Sequence, residues 1–357
     1  MSRTIRTAGM AMIVGALVTG AFVWRPWTDG RANERPELPG AFDPDKPAKR
    51  DGFAAGRNDK PNEVAVKPIP FDAKRSMQYL KQLCDIGPRV SGSEGMAKQQ
   101  EIVIKHFEEH GAKVVKQEFS AKQYSRKDRV NMVNLIASWF PEREKRVMLC
   151  SHYDTRPMAH EEPNRQNWGK PFLSANDGTS GVAMFMELAH QMKEFPTEIG
   201  IDFVLFDGEE YVFETTGTFG GGDKFFFGSE HFAETYTKTR TTRKYRYEAA
   251  VLFDLFAHPG AKFPVEMNSW QAAPELATQF WKVAEKVGAK SFVFERGGEV
   301  QDDHLALNRA GIPAIDVIDF EGYRKHWHKL SDLPEQCSGE QIAEVAGVTT
   351  AWLQLRK

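Results

Sequence analysis

Ile201-Asp202-Phe203-Val204-Leu205-Phe206-Asp207-Gly208-Glu209-Glu210 decides the fold. Its first six residues, apolar except for Asp202, form the kind of run that is buried on both faces of a parallel sheet, and the run stops in a turn that carries three carboxylates. An open α/β sheet places its site residues at the carboxyl ends of its strands, so this stretch reads as a buried strand delivering an acidic loop to a site. Neighbours on an extended backbone point to opposite faces, so Glu209 and Glu210 cannot easily hold one ion together. One is expected to ligate and the other to carry protons.

The same pattern recurs on either side. Extended runs are expected over Lys113 to Phe119, Val130 to Ser138, Arg146 to Ser151, Ala249 to Leu255 and Ala314 to Ile318. Between them, helices are expected over Phe71 to Cys84, Glu94 to His110, from Gly178 onward, Pro274 to Val287, after Asp302, and Gly339 to Leu355, with Gly111 as a C-cap. Alternating strands and helices predict a single α/β domain from residue 66 to 357, with a mixed, mostly parallel central sheet and helices on both faces. Val212 to Phe227 reads as an irregular, glycine- and phenylalanine-rich loop that follows the acidic turn and can wall a pocket.

Each strand end carries chemistry. The run to Ser151 ends on His152-Tyr153-Asp154, Asp177 stands before a helix start, Asp254 closes Phe253-Asp254-Leu255, and His328 closes Trp327-His328. Two histidines and three carboxylates, without a thiolate, suit catalytic zinc. Asp177, Glu210 and His328 are the first choice for one zinc site. His152 and Asp254 complete a second, with Asp177 bridging at the ~3.5–4 Å separation of two-metal enzymes. Glu209, beside a ligand and partly desolvated, is placed to act as general base and then general acid.

The bulk composition excludes little beyond nucleic acid. The chain has 357 residues, 41% hydrophobic and 27% charged, with a net charge of −2 that gives no sign of a nucleic-acid partner. Cys84, Cys150 and Cys337 cannot all pair within one chain, and they read as packing residues with at most one disulfide. Residues 1–24 combine Arg3 and Arg6 with an uncharged run from Ala8 to Trp24, which reads either as a membrane anchor or as a cleaved signal peptide. Both predict an extracytoplasmic enzyme, tethered through residues 8–24 or secreted into the periplasm or beyond. Residues 25–65 are rich in Pro, Gly and charge and read as a disordered linker.

Taken together, His152-Tyr153-Asp154, Asn176-Asp177-Gly178, Asp207-Gly208-Glu209-Glu210, Gly228-Ser229-Glu230-His231, Phe253-Asp254-Leu255 and Trp327-His328 resemble the zinc aminopeptidase superfamily, which also contains the animal glutaminyl-peptide cyclotransferases. The resemblance runs from about Phe71 to the C-terminus. Gly297-Gly298-Glu299-Val300-Gln301-Asp302-Asp303-His304 is most similar to the cyclotransferase branch, because the aminopeptidase branch usually has serine where Asp302 stands.

That resemblance implies a zinc aminopeptidase-like fold, peptide or protein N-termini as substrates, and cyclisation of N-terminal glutamine to pyroglutamate with loss of ammonia. It implies zinc on Asp177, Glu210 and His328, proton transfer by Glu209, and an acidic network of Asp254 and Asp302. The alternative is an aminopeptidase with one or two zinc ions; a third reading is an inactive tethered ectodomain. The chain departs from the animal cyclotransferases at Thr215, where they have tryptophan, and at Asp316, where they have histidine. Phe213, Phe256 and Trp327, with Gln301, are therefore expected to line the substrate pocket in their own way.

Overall fold

The computed structural model describes residues 66, 68–214 and 222–356. The run at 8–24, the linker at 25–65, and Thr215, Gly217, Gly220 and Gly221 lie outside the described residues. In chain order the elements are α1 (Ala73–Cys84), α2 (Glu94–Glu109), β1 (Lys113–Ala121), β2 (Val130–Trp139), β3 (Lys145–His152), α3 (Thr179–Met192), β4 (Gly200–Phe206), α4 (Phe227–Lys238), β5 (Arg246–Asp254), β6 (Phe263–Val265), α5 (Met267–Ala272), α6 (Pro274–Val287), β7 (Phe292–Arg296), α7 (His304–Arg309), β8 (Ala314–Ile318), α8 (Phe320–Tyr323) and α9 (Gly339–Gln354). No helix among the described residues is long and apolar enough to cross a membrane.

Six strands form the central sheet in the order β1-β2-β4-β3-β5-β8. β4, β3, β5 and β8 run parallel, while β2 is antiparallel to both β1 and β4. The mixed, mostly parallel sheet expected from the strand–helix alternation is therefore present. All seven residues of β4 are buried, as are all of β3 but Lys145, because helices cover both faces.

Alternation divides the sheet's side chains between two cores. Val147, Leu149, Phe203 and Leu205 join α1, α2, α3, α6 and α9 on one face. Met148, Cys150, Val204 and Phe206 meet Phe232 and Tyr236 of α4 and Leu307 of α7 on the other. All three cysteines are unpaired, with Cys84 and Cys150 buried.

Local chemistry sets the element ends. Asp72 caps α1 by accepting from the backbone N–H groups of Lys74 and Arg75, and Ser93 caps α2 through Met96 N–H. Pro274 opens α6, and Gly288 ends it with φ +76°. Two features were not legible in advance. Residues 228–238 continue into α4, whose Phe232, Ala233 and Tyr236 form the buried stripe. β6 and β7 make a separate two-stranded sheet, too short to show a period of two.

Asp202, the polar interruption in β4, has a structural task. It is buried and accepts from Arg146 Nε at 2.9 Å and from Tyr247 Oη at 2.5 Å. Asp202→Ala would leave the buried Arg146 guanidinium unpaired, so we expect it to lower unfolding stability by about 3–5 kcal/mol. Urea denaturation of the two proteins checks this, with little change expected in the m-value.

Candidate active site and metal centre

β3 and β5 are neighbours, but the chain leaves β3 for β4 on one side and leaves β5 for β8 on the other. This switch point opens a crevice at the carboxyl ends of the strands, and the expected residues converge there. His152 ends β3, Glu209 and Glu210 follow β4, Asp254 ends β5, and Asp177 precedes α3. His328 reaches in from the segment after β8 and α8.

His152 Nε2 lies 3.1 Å from Asp177 Oδ1 and 3.5 Å from Asp254 Oδ1. Its Nδ1 faces Asp154 Oδ1 at 3.7 Å and Glu209 Oε2 at 3.9 Å. Single donor atoms of His152, Asp177 and Glu210 lie within 4.8 Å of one another. His328 Nε2 contacts Glu210 Oε1 and stands 3.7 Å from Asp177 Oδ2.

Several of these atoms approach without making hydrogen bonds. Asp177 Oδ2, Glu210 Oε2 and His328 Nε2 are buried with no hydrogen-bond partner. Buried polar atoms left this way are costly unless an ion satisfies them. A tetrahedral ion with ~2.0–2.1 Å bonds to nitrogen and oxygen separates its ligands by about 3.3 Å, near the 3.7 Å between His328 Nε2 and Asp177 Oδ2. The donor set fits a hard-to-borderline divalent metal.

The electrostatics agree. Burial raises the pKa of Asp177, and the nearby charges of Glu210 and Asp254 add to it. Burial also raises Glu209, where His152 opposes the shift and Glu210 reinforces it. Asp302 is raised by burial and by the charges of Asp254 and Asp303. Burial disfavours the charged form of His152, but hydrogen bonds to Asp154, Asp177 and Asp254 outweigh it and hold its pKa up. His328 is pushed the other way, by burial and by Arg156, and so keeps a neutral ring with a lone pair to offer. This acidic cage favours a positive charge in its midst, which a proton on His152 or a divalent cation supplies.

A supporting layer had no role in the sequence reading. Asp154 accepts from the backbone N–H groups of Glu209 at 3.1 Å and Glu210 at 3.0 Å, fixing the acidic turn. Asp332 accepts from Asn176 N–H at 2.8 Å and from Tyr323 Oη at 2.5 Å, holding the Asp177 segment. Asp207 accepts from Ser91 Oγ at 2.6 Å and Val133 N–H at 2.8 Å, tying the turn to β2. Arg156 reaches Glu210 Oε1 at 3.4 Å and His160 Nδ1 at 2.8 Å. Asp154 stands in a quoted motif and could have been found there; Arg156 and Asp332 lie in loops and leave no periodic signal.

The expected pocket residues are less uniform. Trp327 stacks on His328 with ring centroids 3.7 Å apart and therefore borders the site. Gln301 is exposed beside buried Asp302. Phe213 packs edge-on against Tyr211, beneath the Arg126 guanidinium, in a side cluster with Ala121 and Met132. Phe256 has no exposed surface and packs against Phe253, so it serves the core where a pocket wall was expected. Asp316 is buried on β8 with both carboxylate oxygens lacking hydrogen bonds, and its pKa is raised by burial and by Asp302.

Gly178 is where backbone and site meet. Its φ is +73°, and a Cβ there would lie 2.5 Å from His152 Cε1. Gly178→Ala must displace that ring and adopt a strained conformation, at a cost of about 1–3 kcal/mol. We expect a lowered melting temperature and weaker divalent-metal binding, read by calorimetry on the metal-loaded and chelator-treated protein.

Comparison with known proteins gives a consistent picture. Residues 134–353 match the family described as Peptidase family M28. A glutaminyl cyclase from Fimbriiglobus ruber is similar in structure, with a TM-score of 0.80 and 56% identity over 85% of this chain and 100% of that one. A leucine aminopeptidase precursor from Bacteroides thetaiotaomicron is similar at a TM-score of 0.76 and 30% identity, over 82% of this chain and 100% of that one. Glutaminyl-peptide cyclotransferase from Bos taurus is 24% identical over 236 residues, 57% of this chain and 60% of the bovine protein. The match thus spans less than two thirds of that relative's own length.

Proposed function

Because the chain belongs to peptidase family M28, with its sheet topology and strand-end site, we propose that it is a zinc-dependent glutaminyl-peptide cyclotransferase acting on peptide N-termini. The observation that carries this reading is the likeness, at 56% identity over its whole length, to a glutaminyl cyclase. Buried Asp302 beside Asp254 supports it.

In this reading Asp177, Glu210 and His328 hold one zinc ion, which supplies Lewis-acid polarisation of a carbonyl oxygen when bound. The protein's own groups do the rest. The substrate's α-amine nitrogen forms a bond to the side-chain amide carbon of the N-terminal glutamine, and the bond from that carbon to the amide nitrogen breaks. Glu209, whose side chain retains 12% exposure, takes a proton from the attacking amine and returns it to the departing nitrogen, which leaves as ammonia. Its pKa, raised first of all by burial, makes it a better proton acceptor than a free carboxylate. Burial and the charge of Asp254 raise the pKa of Asp302, which favours its neutral form as a hydrogen-bond donor. Asp154 keeps Glu209 and Glu210 divergent, so that proton transfer and ligation stay with different side chains.

One observation favours a second reading, an aminopeptidase. His152 and Asp254 are as close to Asp177 as a second metal site requires, with Asp177 the bridge. In the first reading the His152 ring instead keeps its hydrogen-bond contact with Asp177, at 3.1 Å.

Incubating the protein with a Gln-Xaa and a Leu-Xaa peptide separates the two by mass. Loss of ammonia from the first is the expected result; release of leucine from the second would overturn it. Glu209→Gln is expected to lower kcat by about 10²–10⁴ while metal content stays unchanged, and His328→Ala to lose the metal. Turnover by Glu209→Gln at the wild-type rate would rule out the proton-transfer role.

A further inference from the structure

A second cluster of metal-ligand type lies at the far end of α3. His106 and His110 are one helical turn apart at the end of α2, and His190 sits in the last turn of α3. One ring nitrogen of each lies within 4.8 Å of the others. His110 Nε2 and His190 Nδ1 are 3.1 Å apart. All three rings are partly buried. Asp177 precedes α3, so this cluster is on the order of 20 Å from the catalytic crevice by helix length.

The remaining nitrogens are already engaged. His106 Nε2 lies 2.7 Å from the Met186 carbonyl oxygen, and His110 Nδ1 lies 2.7 Å from the His106 carbonyl oxygen. A carbonyl only accepts, so those two nitrogens carry the protons, and each ring keeps a lone pair on its other nitrogen. His190 Nε2 is 2.8 Å from Tyr79 Oη on α1. His110 and His190 thus each have one nitrogen fixed by an oxygen partner and the other turned toward the partner ring, in a hydrogen bond that a bound ion would replace. Histidines that ligate a metal show this arrangement, their outer nitrogen donating to a carbonyl or another oxygen. Two residues at i and i+4 on one helix face, joined by a third from a neighbouring helix, match the usual geometry of a three-nitrogen site.

We propose that His106, His110 and His190 form a second metal site, which takes a borderline divalent cation such as Zn2+, Ni2+ or Cu2+ and clamps α2 to α3. The donor set is neutral imidazole, which suits these ions and not Mg2+ or Ca2+. Burial lowers the pKa of His106 and brings that of His190 down to about 4. Partial exposure leaves the fourth position to water. The site is independent of the reaction assigned to the crevice.

The test uses the full chain, saturated with Zn2+, dialysed, and assayed for bound zinc per protein. Wild type is expected to hold one equivalent more than His110→Ala or His190→Ala, with all three turning over peptide within about two-fold. Tyr79→Phe keeps every ligand and should retain the extra equivalent with roughly 10–100-fold weaker affinity. Equal zinc content in wild type and both alanine variants would overturn the site. Should those variants fail to fold, labelling of wild type with diethyl pyrocarbonate decides. Zn2+ should protect His106, His110 and His190 from modification, and unchanged labelling at these positions would overturn the proposal.

Discussion

Packing several carboxylates into one desolvated crevice is the constraint on which the rest of this structure depends. Asp154, Asp177, Glu210, Asp254, Asp302 and Asp303 are all buried, and like charges in a low-dielectric space repel strongly. The fold meets this in three ways. Backbone N–H groups hydrogen-bond Asp154, Arg156 and His152 bring positive charge, and Asp177 and Glu210 each keep an unpartnered buried oxygen, the kind of group a cation satisfies. The positive φ of His328 and of Leu255, just after Asp254, shows that backbone strain is accepted to hold the arrangement.

Much of the site was legible because each member ends a periodic element. The strands were visible as apolar runs, and a side chain that follows such a run has a defined place at the sheet's edge. Legibility stopped where a residue acts through another. Asp332 holds the backbone of Asn176 from a loop far along the chain, and no local pattern announces that. Phe256 was misplaced for a related reason: the left-handed turn at Leu255 redirects the chain, so the ring two residues beyond Asp254 points into the core. Short pieces such as the β6–β7 pair are fixed by tertiary contacts, with Trp281 Nε1 donating to the Phe263 carbonyl, and not by local preference.

The choice between ring closure and hydrolysis is a choice of nucleophile, and the metal ligands serve either. What differs is the surrounding acid network. Serine in place of Asp302 would remove the buried carboxyl whose pKa is raised by burial and by the charge of Asp254. Asp254 accepts a hydrogen bond from Gly178 N–H at 3.2 Å, and Asp302 accepts one from Asp303 N–H at 2.6 Å.

The sheet order also dictates when the site comes into being. His152 and the Glu209–Glu210 turn are brought together by β3 and β4, near in sequence, but His328 follows β8, the outermost strand, which pairs only with β5. The crevice is therefore incomplete until the last parallel strand has docked, and contacts of such long sequence separation form late in folding. A cation that requires His328 can bind only the finished domain, so it draws the folding equilibrium toward the native state without trapping earlier intermediates.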